Sequence, residues 1–378
     1  ALPPRSAAPG WLSSTLHADR DTLEFLKGVL SSGPGAIVCG PDDLGDDFRA
    51  AVLDLASRLN VPVLADILSG LRFDSRAGES LLAYPDQVAR TAPPADWLLR
   101  FGGTPVSRPL AEWLDRGAGR SQIVVADHPR FTDSPATATH ILRADPAALC
   151  RAVEATAAAT PWLAGFIARD RAADAAAERL CADPRPFEGA FFRQMLRALP
   201  EGTPVFFGNS LAVRSADWFA GRAPRRLRPF GNRGVSGIDG NLSTAFGIAA
   251  ALGPAVAVVG DLAFLHDLNA LALNAAAPLV VVVLDNGGGG IFDHLAQAGL
   301  PEFETGWLAP QTLDVAAACR AFGVPCRRAG SVAEAVAAVL TGLADNRAGV
   351  INLAIARDVS LTQVRAFHSA CREGTSNP

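Results

Sequence analysis

The chain has 378 residues, enough for two or three domains, and carries 34 Lys and Arg against 38 Asp and Glu for a net charge of −4. That balance excludes a basic nucleic-acid footprint, and 49% hydrophobic residues exclude an acidic disordered chain. Six dispersed cysteines (Cys39, Cys150, Cys181, Cys319, Cys326 and Cys371) form no CxxC pair and suit no zinc site, which points to a reducing, cytoplasmic setting.

Residues 1–20 read as a linker or tail, with Pro3-Pro4, Ser13-Ser14 and no apolar period. No signal peptide is expected behind Ala1–Arg5. Short apolar runs then alternate with helical patterns. Strands are expected over Ala36–Gly40, Val61–Asp66, Trp97–Gly102, Gln122–Asp127 and Thr139–Asp145, with helices such as Asp46–Leu59 and Arg108–Asp115 between them. This alternation predicts βαβ units and a parallel sheet covered on both faces. Gly33-Pro34-Gly35 is no GxGxxG fingerprint, so no dinucleotide is expected.

Ala147–Cys181 is alanine-rich with helical spacing, and Asp183-Pro184-Arg185-Pro186 breaks it. A domain boundary is expected there, dividing a unit over 21–182 from one over 187–378. In the second unit helices are expected over Phe187–Leu199, Ser210–Ala220, Asp239–Leu252, Leu262–Asn274, Leu313–Phe322, Val332–Leu343 and from Leu361. Strands are expected over Thr203–Gly208, Ala255–Gly260, Leu279–Asp285, Val324–Cys326 and Gly349–Ile355. The fold class is therefore α/β: two three-layer αβα domains with mainly parallel sheets. Asn241–Gly260 is twenty residues without a charge, but Asn241, Ser243, Thr244 and Gly253-Pro254 make it a buried helix, turn and strand rather than a membrane span.

Two strand ends carry the strongest chemical signal. Gly260-Asp261 and, 25 residues on, Asp285-Asn286 followed by Gly287–Gly290 both end buried strands, at the sheet edge where open α/β folds bind ligands. Asp261 offers a carboxylate, Asn286 an amide oxygen, and the glycines leave backbone groups open. Oxygen ligands with room for phosphate suit magnesium. The plain alternative is two strand-end turns, with Asp261 as a helix N-cap.

This pattern resembles the thiamine diphosphate–magnesium motif. Carried over, Asp261, Asn286 and the backbone of Gly288 would bind the metal (magnesium, or manganese). The variant Gly260-Asp261-Leu262 is similar to that of the 2-succinyl-5-enolpyruvyl-6-hydroxy-3-cyclohexene-1-carboxylate synthases of menaquinone biosynthesis. Gly208-Asn209-Ser210-Leu211-Ala212-Val213-Arg214 resembles that family's GNSxxxR, and Gly231–Gly240 its NRGxSGIDG stretch. Asp267–Leu271 and Gly288–Phe292 also match, and Pro105–Leu110 resembles its PVSKP turn, with Arg108 in place of lysine.

The resemblance implies thiamine diphosphate bound by Asn209, Ser210, Ile238, Gly260, Asp261, Leu262, Asn286 and Ile291. It implies catalytic roles for Ser210, Arg214, Arg233, Ile291 and Phe292, with the two arginines gripping carboxylates and Arg108 a further substrate contact. Ser210 and Arg214 share one helical face at i, i+4, and a guanidinium fork suits a carboxylate. Structural salt bridges for the arginines and core roles for Ile238, Ile291 and Phe292 are the alternatives. The implied reaction decarboxylates 2-oxoglutarate and adds the remaining carbanion to isochorismate. The family's pyrimidine-binding domain, with the glutamate that activates the cofactor, has no counterpart here. A pyrimidine-type domain or subunit and a homo-oligomeric dimer or tetramer are therefore expected, the chain alone being nearly inactive with its inter-domain face apolar. Another thiamine diphosphate decarboxylase or synthase, or a non-catalytic assembly or regulatory module, are the rival readings. His266 and His294 show no ligand partner, and Asp293–Gln311 reads as a loop over the site or plain surface.

Overall fold

The computed structural model describes residues 14–73, 78–117, 120–128, 133, 136–156, 161–275 and 277–373. Of the tail expected over 1–20, residues 1–13 lie outside the described residues, as does the end Gly374–Pro378. Two parallel sheets with helices on both faces build the chain. The first contains β1 (Gly35–Cys39), β2 (Val63–Ala65), β3 (Trp97–Phe101), β4 (Ser121–Ala126) and β5 (His140–Arg143), in the order β2-β1-β3-β4-β5. The second contains β6 (Pro204–Phe207), β7 (Arg228–Phe230), β8 (Ala255–Gly260), β9 (Leu279–Asp285), β10 (Cys326–Ala329) and β11 (Gly349–Ala354), in the order β10-β11-β9-β8-β6-β7.

Alternating side chains feed opposite faces of each sheet. In the second, Val256, Val258, Val280 and Val282 pack with Phe191, Met195 and Val339, while Ala257, Val259, Val281 and Val283 pack with Phe246, Phe264 and Cys319. In the first, Ile37, Cys39 and Leu99 face one helical layer, and Ala36, Val38 and Leu98 meet Trp113 and Phe166 on the other. The near-continuous apolar runs of β8 and β9 follow from this double burial.

Several elements depart from expectation. The stretch expected as one helix over Leu262–Asn274 is an α-helix Asp261–His266 and a 3₁₀ segment Leu268–Leu273. Asp267 interrupts it, because its carboxylate is drawn to the N–H and hydroxyl of Ser243 at 2.7 and 3.0 Å. The edge strand β10 runs Cys326–Ala329, against Val324–Cys326 expected. The helical stretch from Ala147 to Cys181 is two helices, Pro146–Ala152 and Trp162–Cys181. The edge strand β7 and the helix Pro85–Thr91 were not foreseen. Asp19 caps a helix Arg20–Leu30 by accepting from the Thr22 N–H.

The units either side of Pro184 share one apolar cluster, in which Ile67, Phe73, Tyr84 and Val106 join Phe187, Phe207 and Phe219. A buried ion pair spans the same seam. Arg72, with a side chain 0% exposed, meets the Asp217 carboxylate and donates to the Asp217 carbonyl at 3.1 Å. Removing one partner strands the other charge. Asp217→Ala is therefore expected to cost about 3–5 kcal/mol, read as a lower urea midpoint. An unchanged midpoint would show that the pair does not hold the seam.

Candidate active site

The chain order places a reversal between β6 and β8, which are neighbours although β7 intervenes in sequence. Crevices at such reversals hold ligands at the strands' carboxyl ends. The loops after β6, β8 and β9 meet here. Gly208 makes the close approach possible: its N–H donates to the Val258 carbonyl at 2.8 Å, and a Cβ on it would lie 2.9 Å from that oxygen.

A cavity of about 160 Å³ opens at this point. It brings together Asn209, Ser210, Ile238, Gly260, Asp261, Leu262, Asn286, Gly288, Ile291 and Phe292. Asp261 is 1% exposed. Its Oδ1 accepts from the Leu262 N–H at 2.7 Å, and its Oδ2 from the Gly288 N–H at 2.7 Å and Gln311 Nε2 at 3.0 Å. Burial pushes its carboxyl above the usual range. It is not a helix N-cap: Gly260 holds that position, with no side-chain cap. Asn286 Oδ1 is buried and has no hydrogen-bond partner. A buried amide oxygen left unmade is costly unless something else supplies the partner.

The glycine turn is shaped by its neighbours. Gly288 has φ +147, and a Cβ there would lie 2.5 Å from the Leu308 carbonyl. Gly289 N–H donates to that same carbonyl. The segment 293–311 is thus packed under the turn in short helical pieces such as Ala296–Gly299 and Phe303–Gly306. Among the described residues no three His, Cys, Asp or Glu cluster as a metal site. One buried carboxylate, an orphaned amide oxygen and a glycine backbone are the donor set of a hard cation that also takes phosphate oxygens. Asp261, Asn286 and Gly288 therefore fit magnesium, and the open glycine backbone fits a diphosphate.

Ser210 starts helix Leu211–Phe219 with φ +69 and no side-chain cap, so its hydroxyl is not spent on the helix. A serine in that backbone region is strained, and such strain belongs at functional sites. Asn209 lines this cavity and also ties the neighbouring loop to it. Its Nδ2 donates to the Gly237 carbonyl at 2.7 Å, and its Oδ1 accepts from Arg233 at 3.1 Å. It fastens the 231–240 loop to the crevice. Asn241 helps, accepting the Asn209 N–H on Oδ1 at 3.2 Å. Asp239 does not cap the following helix; Gly240 is its N-cap.

Arg214 donates to the Ser210 carbonyl at 2.7 Å. Among the described residues it makes no salt bridge. Burial and the nearby Arg233 guanidinium both lower its pKa. Two neighbouring guanidiniums, one of them without a carboxylate, make a strong anion trap. Arg214 and Ile291 also line a second cavity of about 590 Å³, together with Arg108. Arg108 is 83% exposed and paired with Glu112. Arg233 lines a third cavity, of about 300 Å³. Glu188, Gln311 and Asn241 escaped sequence reading, since only the fold brings them to the crevice.

His294 and His368 lie on the wall of the second cavity, with ring centroids 5.9 and 5.1 Å from Trp218. Burial lowers them to about 4 and about 3, against an ordinary 6.5. Below pH 6.5 the unfolded chain takes up protons that the folded chain refuses, so stability is lost on acidification. The urea midpoint is expected to fall from pH 7 to pH 4.5, and less steeply in His368→Phe. A flat profile over that window would contradict it.

The two halves of the chain each match a family model. One, described as "Middle domain of thiamine pyrophosphate", covers residues 16–207. The other, "Thiamine pyrophosphate enzyme, C-terminal TPP binding domain", covers residues 215–353. The chain is 39% identical over 319 residues to a 2-succinyl-5-enolpyruvyl-6-hydroxy-3-cyclohexene-1-carboxylate synthase of Dechloromonas aromatica, covering 82% of this chain and 57% of that protein. Synthases of the same name are 35% identical in Roseiflexus sp. (77% of this chain, 51% of that protein) and 39% in Geobacillus kaustophilus (76% and 52%). The chain spans about half the length of these curated relatives. Among its described residues no helix is long and apolar enough to cross a membrane.

Proposed function

The chain belongs to the thiamine pyrophosphate enzyme family, and from that premise we propose that it carries the diphosphate- and substrate-binding half of a 2-succinyl-5-enolpyruvyl-6-hydroxy-3-cyclohexene-1-carboxylate synthase. The reaction joins the decarboxylated remainder of 2-oxoglutarate to isochorismate in menaquinone biosynthesis. Each residue's role follows from its setting. Asp261, Asn286 Oδ1 and the Gly288 backbone hold magnesium, and Ser210 with the glycine backbone receives the diphosphate. When bound, thiamine diphosphate supplies the electron sink that decarboxylation of a 2-oxo acid requires.

Arg214 and Arg233 hold the carboxylates of the substrates, with Arg108 at the outer end of the larger cavity. Ile238, Ile291 and Phe292 keep water from the reacting carbon. The observation that carries this reading is the orphaned Asn286 Oδ1 beside the buried Asp261 carboxylate, at the fold's reversal point.

Part of the site would lie outside these 378 residues. The glutamate that activates the cofactor would come from a pyrimidine-binding domain, in this polypeptide or a partner, within a homo-oligomer. Val235, 84% exposed on the loop that carries Arg233, together with Leu295 and Leu300, offers apolar surface for it. The intact mass of the protein from its own source decides which. The assay is loss of isochorismate with 2-oxoglutarate, magnesium and thiamine diphosphate, with the pyrimidine-binding domain present. Turnover of another 2-oxo acid with none of isochorismate would overturn the substrate assignment.

A further inference from the structure

Four arginines and four carboxylates line the larger cavity of about 590 Å³. Each of the carboxylates has a basic partner. Arg90 reaches Asp86 at 3.1 Å, and Arg108 reaches Glu112 at 2.7 Å. Asp217 is taken by Arg72, and Asp293 by Arg357 at 3.1 Å. The other two arginines of the lining are Arg214 and Arg365. Among the described residues neither forms a salt bridge, so the wall holds two guanidiniums without a carboxylate. His294 and His368 add no charge at neutral pH, because burial lowers both far below it. The cavity is therefore built for anions, and its two free cations are these arginines.

The two arginines stand at different places. Arg214 donates to the carbonyl of Ser210, which lines the cofactor cavity, so it belongs to the cofactor end. Arg365 lies on the C-terminal helix Arg357–Glu373, one turn before His368. At i, i+3 the two share a helix face. That face is turned to the cavity, where His368 packs on the Trp218 ring at 5.1 Å and bonds Gln87 Oε1 at 3.1 Å. Ile291 lines both cavities and joins them. The wall shared with Arg365 also includes Trp218 and Leu295, an apolar surface that suits a carbon ring with carboxylates at its margin. In the proposed reaction one carboxylate of 2-oxoglutarate leaves as carbon dioxide, while its other carboxylate and both on isochorismate stay ionised. The 2-oxo acid must meet the cofactor, at the end where Arg214 stands. The acceptor takes the remaining space. We propose that Arg365 is a specificity-determining residue that binds a carboxylate of isochorismate in the larger cavity. The inference rests on the reading of the substrates given above.

The test uses the enzyme with its pyrimidine-binding domain. Arg365→Met is expected to raise the KM for isochorismate about 10-fold, the low end for a hydrogen bond to a charged group, because solvent reaches this guanidinium. The KM for 2-oxoglutarate, kcat and the ligand-free thermal midpoint are expected to hold, since the side chain is exposed and makes no salt bridge among the described residues. Arg365→Lys keeps the charge without the planar fork and recovers part of the loss. Calorimetric titration of isochorismate into the enzyme without 2-oxoglutarate is expected to give the same ranking with no turnover.

An unchanged isochorismate KM in Arg365→Met, while the wild type turns isochorismate over, overturns the inference and leaves the proposed function standing. Equal rises in the KM of both substrates also overturn it, because they mark a general attraction of anions rather than a contact with one of them. A fall in the midpoint that accompanies the rise in KM overturns it as a structural role. If the wild type neither binds nor consumes isochorismate, the proposed function falls and the inference with it.

Discussion

Asp261→Ala abolishes magnesium-dependent binding of thiamine diphosphate, with an expected loss of more than about 100-fold in affinity, beyond the range typical of residues one shell further out. Asp261 is the one carboxylate in the candidate metal set. It also ties the turn, through the N–H of Gly288, and the packed segment beneath, through Gln311. Its removal takes away the charged ligand and loosens the backbone that would carry the third oxygen. Asp261→Asn separates these effects. It keeps the shape and an acceptor but not the charge. Because both Asp261 oxygens accept from N–H groups, the asparagine Nδ2 faces a donor, and the ligand-free thermal midpoint of Asp261→Asn is expected to fall modestly while binding is lost. Calorimetric titration and a thermal scan together check it. Binding that survives in Asp261→Ala would remove the metal assignment.

Arg214→Met is expected to raise the KM for 2-oxoglutarate about 10–100-fold, the equivalent of one charge-assisted hydrogen bond of about 1.5–3 kcal/mol. The enzyme assayed must include its pyrimidine-binding domain. Methionine keeps the apolar stem, so packing survives. Among the described residues Arg214 bonds only a backbone oxygen, and it is crowded by Arg233. Losing it therefore relieves like-charge repulsion, and the ligand-free midpoint should hold or rise slightly. A KM unchanged with a large drop in midpoint would make Arg214 a structural residue instead.

The sheet frame was legible because strands buried on both faces are unbroken apolar runs, as in Leu279–Asp285, and the polar residues that end them stand out. Asp261 and Asn286 could be singled out for that reason alone. Edge elements were harder. Pro229 sits in a three-residue strand whose sequence argues against a strand. Arg327 and Arg328 occupy β10 without an apolar pattern. Helix Pro85–Thr91 is short and polar, and its buried Asp86 is held by Ser107, Gln87 and Arg90. Asn209 could be placed at the crevice but not given its partners, which lie 24 to 32 residues away. Gln311 lies 50 residues from Asp261, and the link between Glu188 and Ser360 spans 172. No local periodicity encodes such pairs; sheet order and helix packing create them.

The most direct test of the cation assignment is a crystal of the protein grown with thiamine diphosphate and Mn²⁺, with anomalous scattering recorded at the manganese edge. The account predicts one strong peak bounded by the Asp261 carboxylate, Asn286 Oδ1 and the Gly288 carbonyl, at about 2.0–2.2 Å from each oxygen, with the diphosphate completing the shell. A peak elsewhere, or a cofactor seated in the larger cavity away from Asp261, would contradict it.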